Sequence, residues 1–191
     1  MKKSMYKTIA SIILVTMVTV SCAPVQEATE TVENMDAESV MIEDNAMVEK
    51  NSGVMAPEFE LKDLQGNTYR LSDLEGEKIY MKYWASWCSI CLAGLSEIDA
   101  LSNMDTEFKV FTVVTPGANG EQSEQDFREW FEGLEYEHIT VLIDTEAELG
   151  KELNVRAFPT SVFIGSDGKI IEALPGHKSN EEIIEKVATF Y

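Results

Sequence analysis

The stretch "YMKYWASWCSIC", residues 80–91, sets two of the chain's three cysteines three positions apart, behind Trp84 and Trp87. An apolar run precedes the pair. After it, Leu92, Leu95, Ile98 and Leu101 recur at helical spacing. The segment therefore reads as a strand near 78–84 that runs into a Cys-x-x-Cys, with a helix beginning at the cysteines. That placement puts Cys88 at a helix N-terminus, where unpaired N–H groups and the helix dipole favour a thiolate. The thiolate is the attacking species in disulfide exchange. Cys91, one turn inside the helix, is placed to resolve a mixed disulfide, and Trp87 to shield the sulfurs.

Other chemistries compete for such a pair. Structural zinc usually takes four ligands, yet the only other cysteine is Cys22, and His138 and His177 have no ligand-like spacing. A disulfide across three residues closes a loop too small to restrain the unfolded chain much. Copper binding, with His177 as a further ligand, is the non-enzyme alternative. A redox-active dithiol fits the pattern best, with no metal site and no bound cofactor required.

Working outward, "PEFELKDLQGNTYRLSDLEGEKIYMKYWASW" alternates apolar and polar residues between turn signals, predicting strands near 58–61, 68–71 and 78–84. "FKVFTVVT" and "ITVLID" read as buried strands. "SEQDFREWFEGL" is a helix with Ser123 and Asp126 at a capped start, and its Phe127, Trp130 and Phe131 suit core packing. "TEAELGKELN" is a short helix. "TSVFIG" and "KIIEALPG" form a hairpin around "SDG", and "SNEEIIEKVATF" is a last helix capped by Ser179 or Asn180. This order predicts an α/β fold with a central mixed sheet and helices on both faces.

The first 56 residues differ in kind. A short basic region, an apolar run over residues 8–20 and small residues around Cys22 make the three-part pattern of an export signal. Val20, Ser21 and Cys22 resemble a bacterial lipobox, with Thr19 where leucine is usual. The resemblance implies a signal peptide over 1–21 and a lipid on Cys22; plain secretion and an uncleaved anchor are the other readings. Residues 22–56 carry eight acids against one lysine and no aromatic residue. Such composition does not bury enough apolar surface to offset ordering entropy. It reads as an acidic flexible tether of roughly 30 Å root-mean-square span, leaving 57–191 as the folded domain. The formal charge of −19 across 191 residues lacks the basic footprint of a nucleic-acid binder.

"YWASWCSIC" resembles the W-A-x-W-C-x-x-C signature of the thioredoxin superfamily, and "RAFPTSVFIGSDGKI" resembles its second signature, a cis-proline loop followed by a hairpin. The likeness spans 57–191, about 70% of the chain. It implies a thioredoxin-like three-layer fold, in which Pro159, with Phe158 and Thr160 beside it, faces the sulfurs and presents backbone groups to a client. The additional N-terminal strands and the 116–137 insertion, after the second core strand, resemble the exported TlpA/ResA-like branch. Within it, "KYWASWCSIC" is similar to Gram-positive surface thioredoxin-like lipoproteins and to thioredoxin domains fused to methionine sulfoxide reductases. Those proteins relay electrons from a CcdA-type membrane transporter to a methionine sulfoxide reductase. With no reductase sequence before Tyr191, the resemblance implies a stand-alone carrier: a monomer, tethered to the bacterial cell membrane by its N-terminal lipid, with protein disulfides as substrates.

Three positions depart from the superfamily. Lys82 stands where cytosolic thioredoxins carry a buried aspartate. Gly94 stands where ResA-like proteins often carry a glutamate, and Ser96 where a proline is common. An ammonium reaching the sulfurs would lower their pKa values; an edge-exposed lysine is the other reading of Lys82. Ser89-Ile90 between the cysteines offers no charge or imidazole to stabilise the thiolate strongly, and the expectation is a reductant. An oxidase of exported proteins and an apocytochrome c reductant are the rival enzyme readings.

Overall fold

Strand β3 (Lys78–Tyr83) lies at the centre of the sheet, and Ile79, Tyr80, Met81, Lys82 and Tyr83 are each no more than 1% exposed. The computed structural model describes residues 51–191. The expected signal peptide, Cys22 and most of the tether lie outside the described residues. β3 pairs in parallel with β4 (Phe108–Val114) and antiparallel with β6 (Thr160–Ile164). Around them β1 (Glu60–Asp63), β2 (Thr68–Arg70), β5 (Val141–Ile143) and β7 (Ile170–Pro175) complete a seven-stranded mixed sheet in the order β2-β1-β5-β4-β3-β6-β7.

Side chains alternate across a strand, so β3 supplies both faces. Ile79, Met81 and Tyr83 join Phe111, Val113, Leu142 and Val162 on one face, under Leu149 of α4 (Glu148–Glu152). The other face has two clusters. Trp84 gathers Phe127 and Phe131 of α3 (Glu124–Glu132) with Cys91 of α1 (Ser89–Ala93) and Leu95 of α2 (Leu95–Ser102). Tyr80 packs with Ile98 and Leu101 of α2 and with Ile183 and Val187 of α5 (Asn180–Val187). The expected three layers are present.

The caps follow the sequence reading. Ser123 Oγ accepts from the Asp126 N–H at 3.2 Å. Ser179 caps α5, and Glu182 bonds back to the Ser179 N–H at 2.8 Å in a full capping box.

Two expectations move. The helix expected from the cysteines onward is broken at Gly94 into α1 and α2. The domain also begins before Pro57. Asn51 N–H bonds Asp167 at 3.1 Å, Ala56 N–H bonds the Gly168 carbonyl at 2.8 Å, and Met55 bridges to Lys169. The last six residues assigned to the tether thus line the β6–β7 turn. Composition missed them because backbone and one asparagine, not an apolar run, make the attachment.

Candidate active site

The strand-to-helix turn is built on burial. Trp84 is fully buried, and its N–H donates to the Val113 carbonyl at 3.1 Å, carrying the strand pairing one residue past β3. The chain then turns outward: Trp87 is 54% exposed and Ile90 60%. Cys88 between them caps α1, its Sγ accepting from the Cys91 N–H at 3.2 Å. The two cysteines form a disulfide, with Cα atoms 5.2 Å apart. They are not equivalent. Cys88 keeps 8% of its surface open, whereas Cys91 has none.

Opposite the sulfurs lies the start of β6. The Phe158–Pro159 peptide is cis. The Phe158 carbonyl oxygen sits 3.7 Å from Cys88 Sγ, and its ring meets Trp87 edge-on at 6.0 Å between centroids. Pro159 is buried; its carbonyl accepts from the Gly176 N–H at 2.8 Å. Thr160, also buried, donates its hydroxyl to the Ala157 carbonyl at 2.8 Å and so fixes the turn. Phe158 also borders a cleft of about 350 Å³ shared with Tyr83, Thr115, Asn119 and Lys151. Trp87, Cys88, Phe158, Pro159 and Thr160 are thus gathered at one end of β3 and β6. The carbonyl at Phe158 and the open edge of Cys88 suit an extended chain laid across the pair, a form of strand addition.

Lys82 is buried, not edge-exposed: 1% of it is accessible, and Nζ has no hydrogen-bond partner among the described residues. Burial is the larger influence on this ammonium, bringing its pKa down to about 8, and the Glu97 carboxylate opposes that fall. A methyl group at Gly94 would lie 3.0 Å from Lys82 Nζ and 2.7 Å from His177 Nδ1, so a side chain there would have to displace the imidazole. His177 Nε2 in turn meets Glu97 Oε2 at 3.1 Å. Nothing in the linear pattern joins these four positions. The one available signal was the pairing of two departures, Lys82 and Gly94. His138 is exposed, and its N–H bonds Asp99 at 2.9 Å.

Glu121 was also missed. It is 8% exposed and accepts from the Ser86 N–H at 2.6 Å and the Ser86 hydroxyl at 2.5 Å. The loop after β4 thereby grips the loop that carries Trp87 and Cys88. Among the described residues, no three His, Cys, Asp or Glu side chains converge to hold a metal.

Comparison with known proteins agrees with this geometry. The Redoxin family profile matches residues 51–188. An uncharacterised protein of Haemophilus influenzae is 46% identical over 127 residues, covering 66% of this chain and 81% of that one. The thiol-disulfide oxidoreductase ResA of Bacillus thuringiensis is 26% identical over 133 residues, covering 70% and 75%. Among solved structures, the exposed lipoprotein thioredoxin Etrx1 of Streptococcus pneumoniae superposes with a TM-score of 0.68 at 43% identity, covering 70% of this chain and all of that one.

Proposed function

Because the chain belongs to the Redoxin family, as a TlpA/ResA-like thiol-disulfide oxidoreductase of the thioredoxin superfamily, we propose that it is an extracytoplasmic reductant. In this reading Cys88 is the nucleophile and Cys91 the resolver. The observation that carries it is the inequality of the pair: Cys88 is open beside Trp87 and the Phe158 carbonyl, while Cys91 is closed off beneath it. Reduced Cys88 attacks a client disulfide and forms a mixed disulfide. Cys91 then attacks Cys88, the client leaves reduced, and the Cys88–Cys91 disulfide remains. A CcdA-type membrane dithiol carrier restores the dithiol. The client is a peptide methionine sulfoxide reductase, and a lipid on Cys22 holds the chain at the membrane. The basic–apolar–small pattern before Cys22 and the likeness to an exposed lipoprotein thioredoxin support that location.

One observation favours the opposite direction of electron flow. A protonated Lys82 close under α1 stabilises thiolates and so the reduced form, as an oxidant of exported proteins requires. The reduction potential decides. A value near thioredoxin's, roughly −270 mV, supports the reductant, and one near roughly −120 mV the oxidase. Trapping identifies the client: Cys91→Ala is expected to accumulate mixed disulfides through Cys88 with a methionine sulfoxide reductase. Recovery of apocytochromes or folding substrates alone would overturn that client.

A further inference from the structure

Tyr83 ends β3 one residue before Trp84 and packs on the opposite face of the sheet. It is 1% exposed, and its hydroxyl is buried with no hydrogen-bond partner among the described residues. Burial, and after it the Asp144 carboxylate, push its pKa up, so the phenol keeps its proton and remains a donor. Asp144 does not accept that proton; its Oδ2 holds the Gly150 N–H at 2.9 Å. A buried donor left unpaired is costly, and an acceptor brought by a ligand would recover that cost.

The cleft of about 350 Å³ beside Phe158 gives such an acceptor a way in. It opens at the carboxyl ends of the parallel strands β3, β4 and β5, the end at which α/β sheets bind ligands. Tyr83 lines it, with Thr115, Asn119 and Lys151 as further donors and Val155 and Phe158 as apolar wall. Among the described residues Glu146 is the one acid on the lining, and its main-chain carbonyl accepts from Lys151 Nζ at 3.2 Å. Asn119 and Ala147, also on the lining, hold left-handed backbones with φ of 52° and 56°, the kind of local strain that gathers at ligand sites. Gly150 leaves the Tyr83 ring bare: a methyl group there would lie 3.4 Å from Tyr83 Cε1 and from Asp144 Oδ2.

We propose that this cleft is a side-chain subsite for the client and selects a side-chain carbonyl oxygen, that of glutamine or glutamate, two residues from the client cysteine. The inference rests on the reading of Cys88 as the nucleophile. Phe158 joins the two places: its carbonyl lies 3.7 Å from Cys88 Sγ, and the same residue borders the cleft. An extended client turns every second side chain toward the domain, at a spacing of roughly 7 Å. With the client cysteine at Cys88, the side chain two positions along passes Phe158 and enters the cleft. Its methylenes lie against Val155 and Phe158, and its oxygen accepts from the Tyr83 hydroxyl. Leucine fills a similar volume but leaves that hydroxyl unpaired, and lysine brings more donors to a donor. A site built to bond a polar group discriminates in this way against the analogue that lacks it.

The test uses the reduced full-length chain and alanine-based peptides with one central cysteine, joined by a disulfide to 5-thio-2-nitrobenzoate. The Cys88 thiolate attacks the peptide sulfur: the Cys88–peptide bond forms, the peptide–thionitrobenzoate bond breaks, and the electron pair leaves on the yellow thionitrobenzoate. Cys91 then frees the peptide thiol, so two electrons pass from the dithiol to the peptide disulfide. Glutamine, glutamate, leucine and lysine are placed two residues before or two residues after the cysteine, and Cys88→Ala gives the background. At one of the two positions, glutamine and glutamate are expected to react about tenfold faster than leucine or lysine at low peptide concentration. Tyr83→Phe is expected to bring glutamine within about twofold of leucine, and Gly150→Leu, which fills the cleft without touching the hydroxyl, to do the same. The urea midpoint of Tyr83→Phe should equal or exceed the parent's, because the lost hydroxyl has no internal partner. Glutamine and leucine within about twofold at both positions would overturn the subsite. So would a preference that survives in Tyr83→Phe, or a lowered midpoint in that variant. If the parent releases no more thionitrobenzoate than Cys88→Ala, the assignment of Cys88 as nucleophile falls first and the subsite with it.

Discussion

A lysine ammonium taken into a protein interior loses its hydration, and among the described residues no group replaces it at Lys82: Nζ is buried without a hydrogen bond, and Glu97 already holds His177. The pKa of about 8, against 10.5 for an ordinary lysine, puts the cost in the folded state. The folded chain releases this proton more readily than the unfolded chain. Below about pH 8 both states are charged, and the burial cost is present in full. As the pH climbs from about 8 toward 10.5 the folded state sheds the proton first, so stability attributable to this residue rises. Lys82→Met, which keeps the stem and removes the charge, is expected to stabilise the protein by about 3 kcal/mol at pH 7, with the gain fading by about pH 10. Urea unfolding at the two pH values measures it.

The active-site elements are joined by parts that carry little pattern of their own. The loop from Thr115 to Ser123 holds the cysteine turn through Glu121, which satisfies both the N–H and the hydroxyl of Ser86, while Gly120 lies against the Trp87 indole. Glu121→Ala leaves both Ser86 groups without their partner and is expected to cost about 2 kcal/mol. It should also blunt the change in tryptophan emission on reduction and slow attack of Cys88 on the aromatic disulfide 5,5′-dithiobis(2-nitrobenzoate). Glu121→Gln, which keeps one acceptor, should recover part of each. The strands and helices around this loop were legible because apolar residues repeat at two or at three to four positions: Leu92, Leu95, Ile98 and Leu101 all face inward or nearly so. Cys88, Cys91 and the proline that faces them were legible because two short signatures carry them. Glu121 was not, being one of 34 acids with nothing local to mark it. Nor was the group around Gly94. Lys82 was visible as an odd letter, but its burial depends on a missing side chain 12 positions on and an imidazole 95 positions on. Only the packing of α1, α2 and α5 over β3 brings the three together.

At the scale of the whole described domain, Asn51 ties the β6–β7 turn to both ends of the described chain. Asn51 gives its N–H to Asp167 at 3.1 Å and its side-chain amide to Asp167 and to the Tyr191 carbonyl. Its side-chain oxygen accepts from the Tyr191 N–H at 3.0 Å, and its carbonyl accepts from Lys169 Nζ at 2.6 Å. The first described residue, the last residue and the β6–β7 turn are thus one network, and Gly165 lies within it. A methyl group at Gly165 would strike both the Asn51 amide and the Tyr191 carbonyl. Asn51→Ala is expected to cost about 2 kcal/mol by stranding these groups, and Gly165→Ala about 1 to 3 kcal/mol by overpacking. Neither residue touches the cysteines, so the rate of disulfide exchange should match the parent. If the two substitutions damage separate features, their costs add. If they break the same network, Gly165→Ala has less left to displace once the Asn51 side chain is gone, and the double variant falls short of the sum by about 1 kcal/mol or more. Urea unfolding of the two single variants and the double variant reads that difference directly. Additive costs would mean that Asn51 is held by its backbone alone and that the methyl group is accommodated by movement of Tyr191.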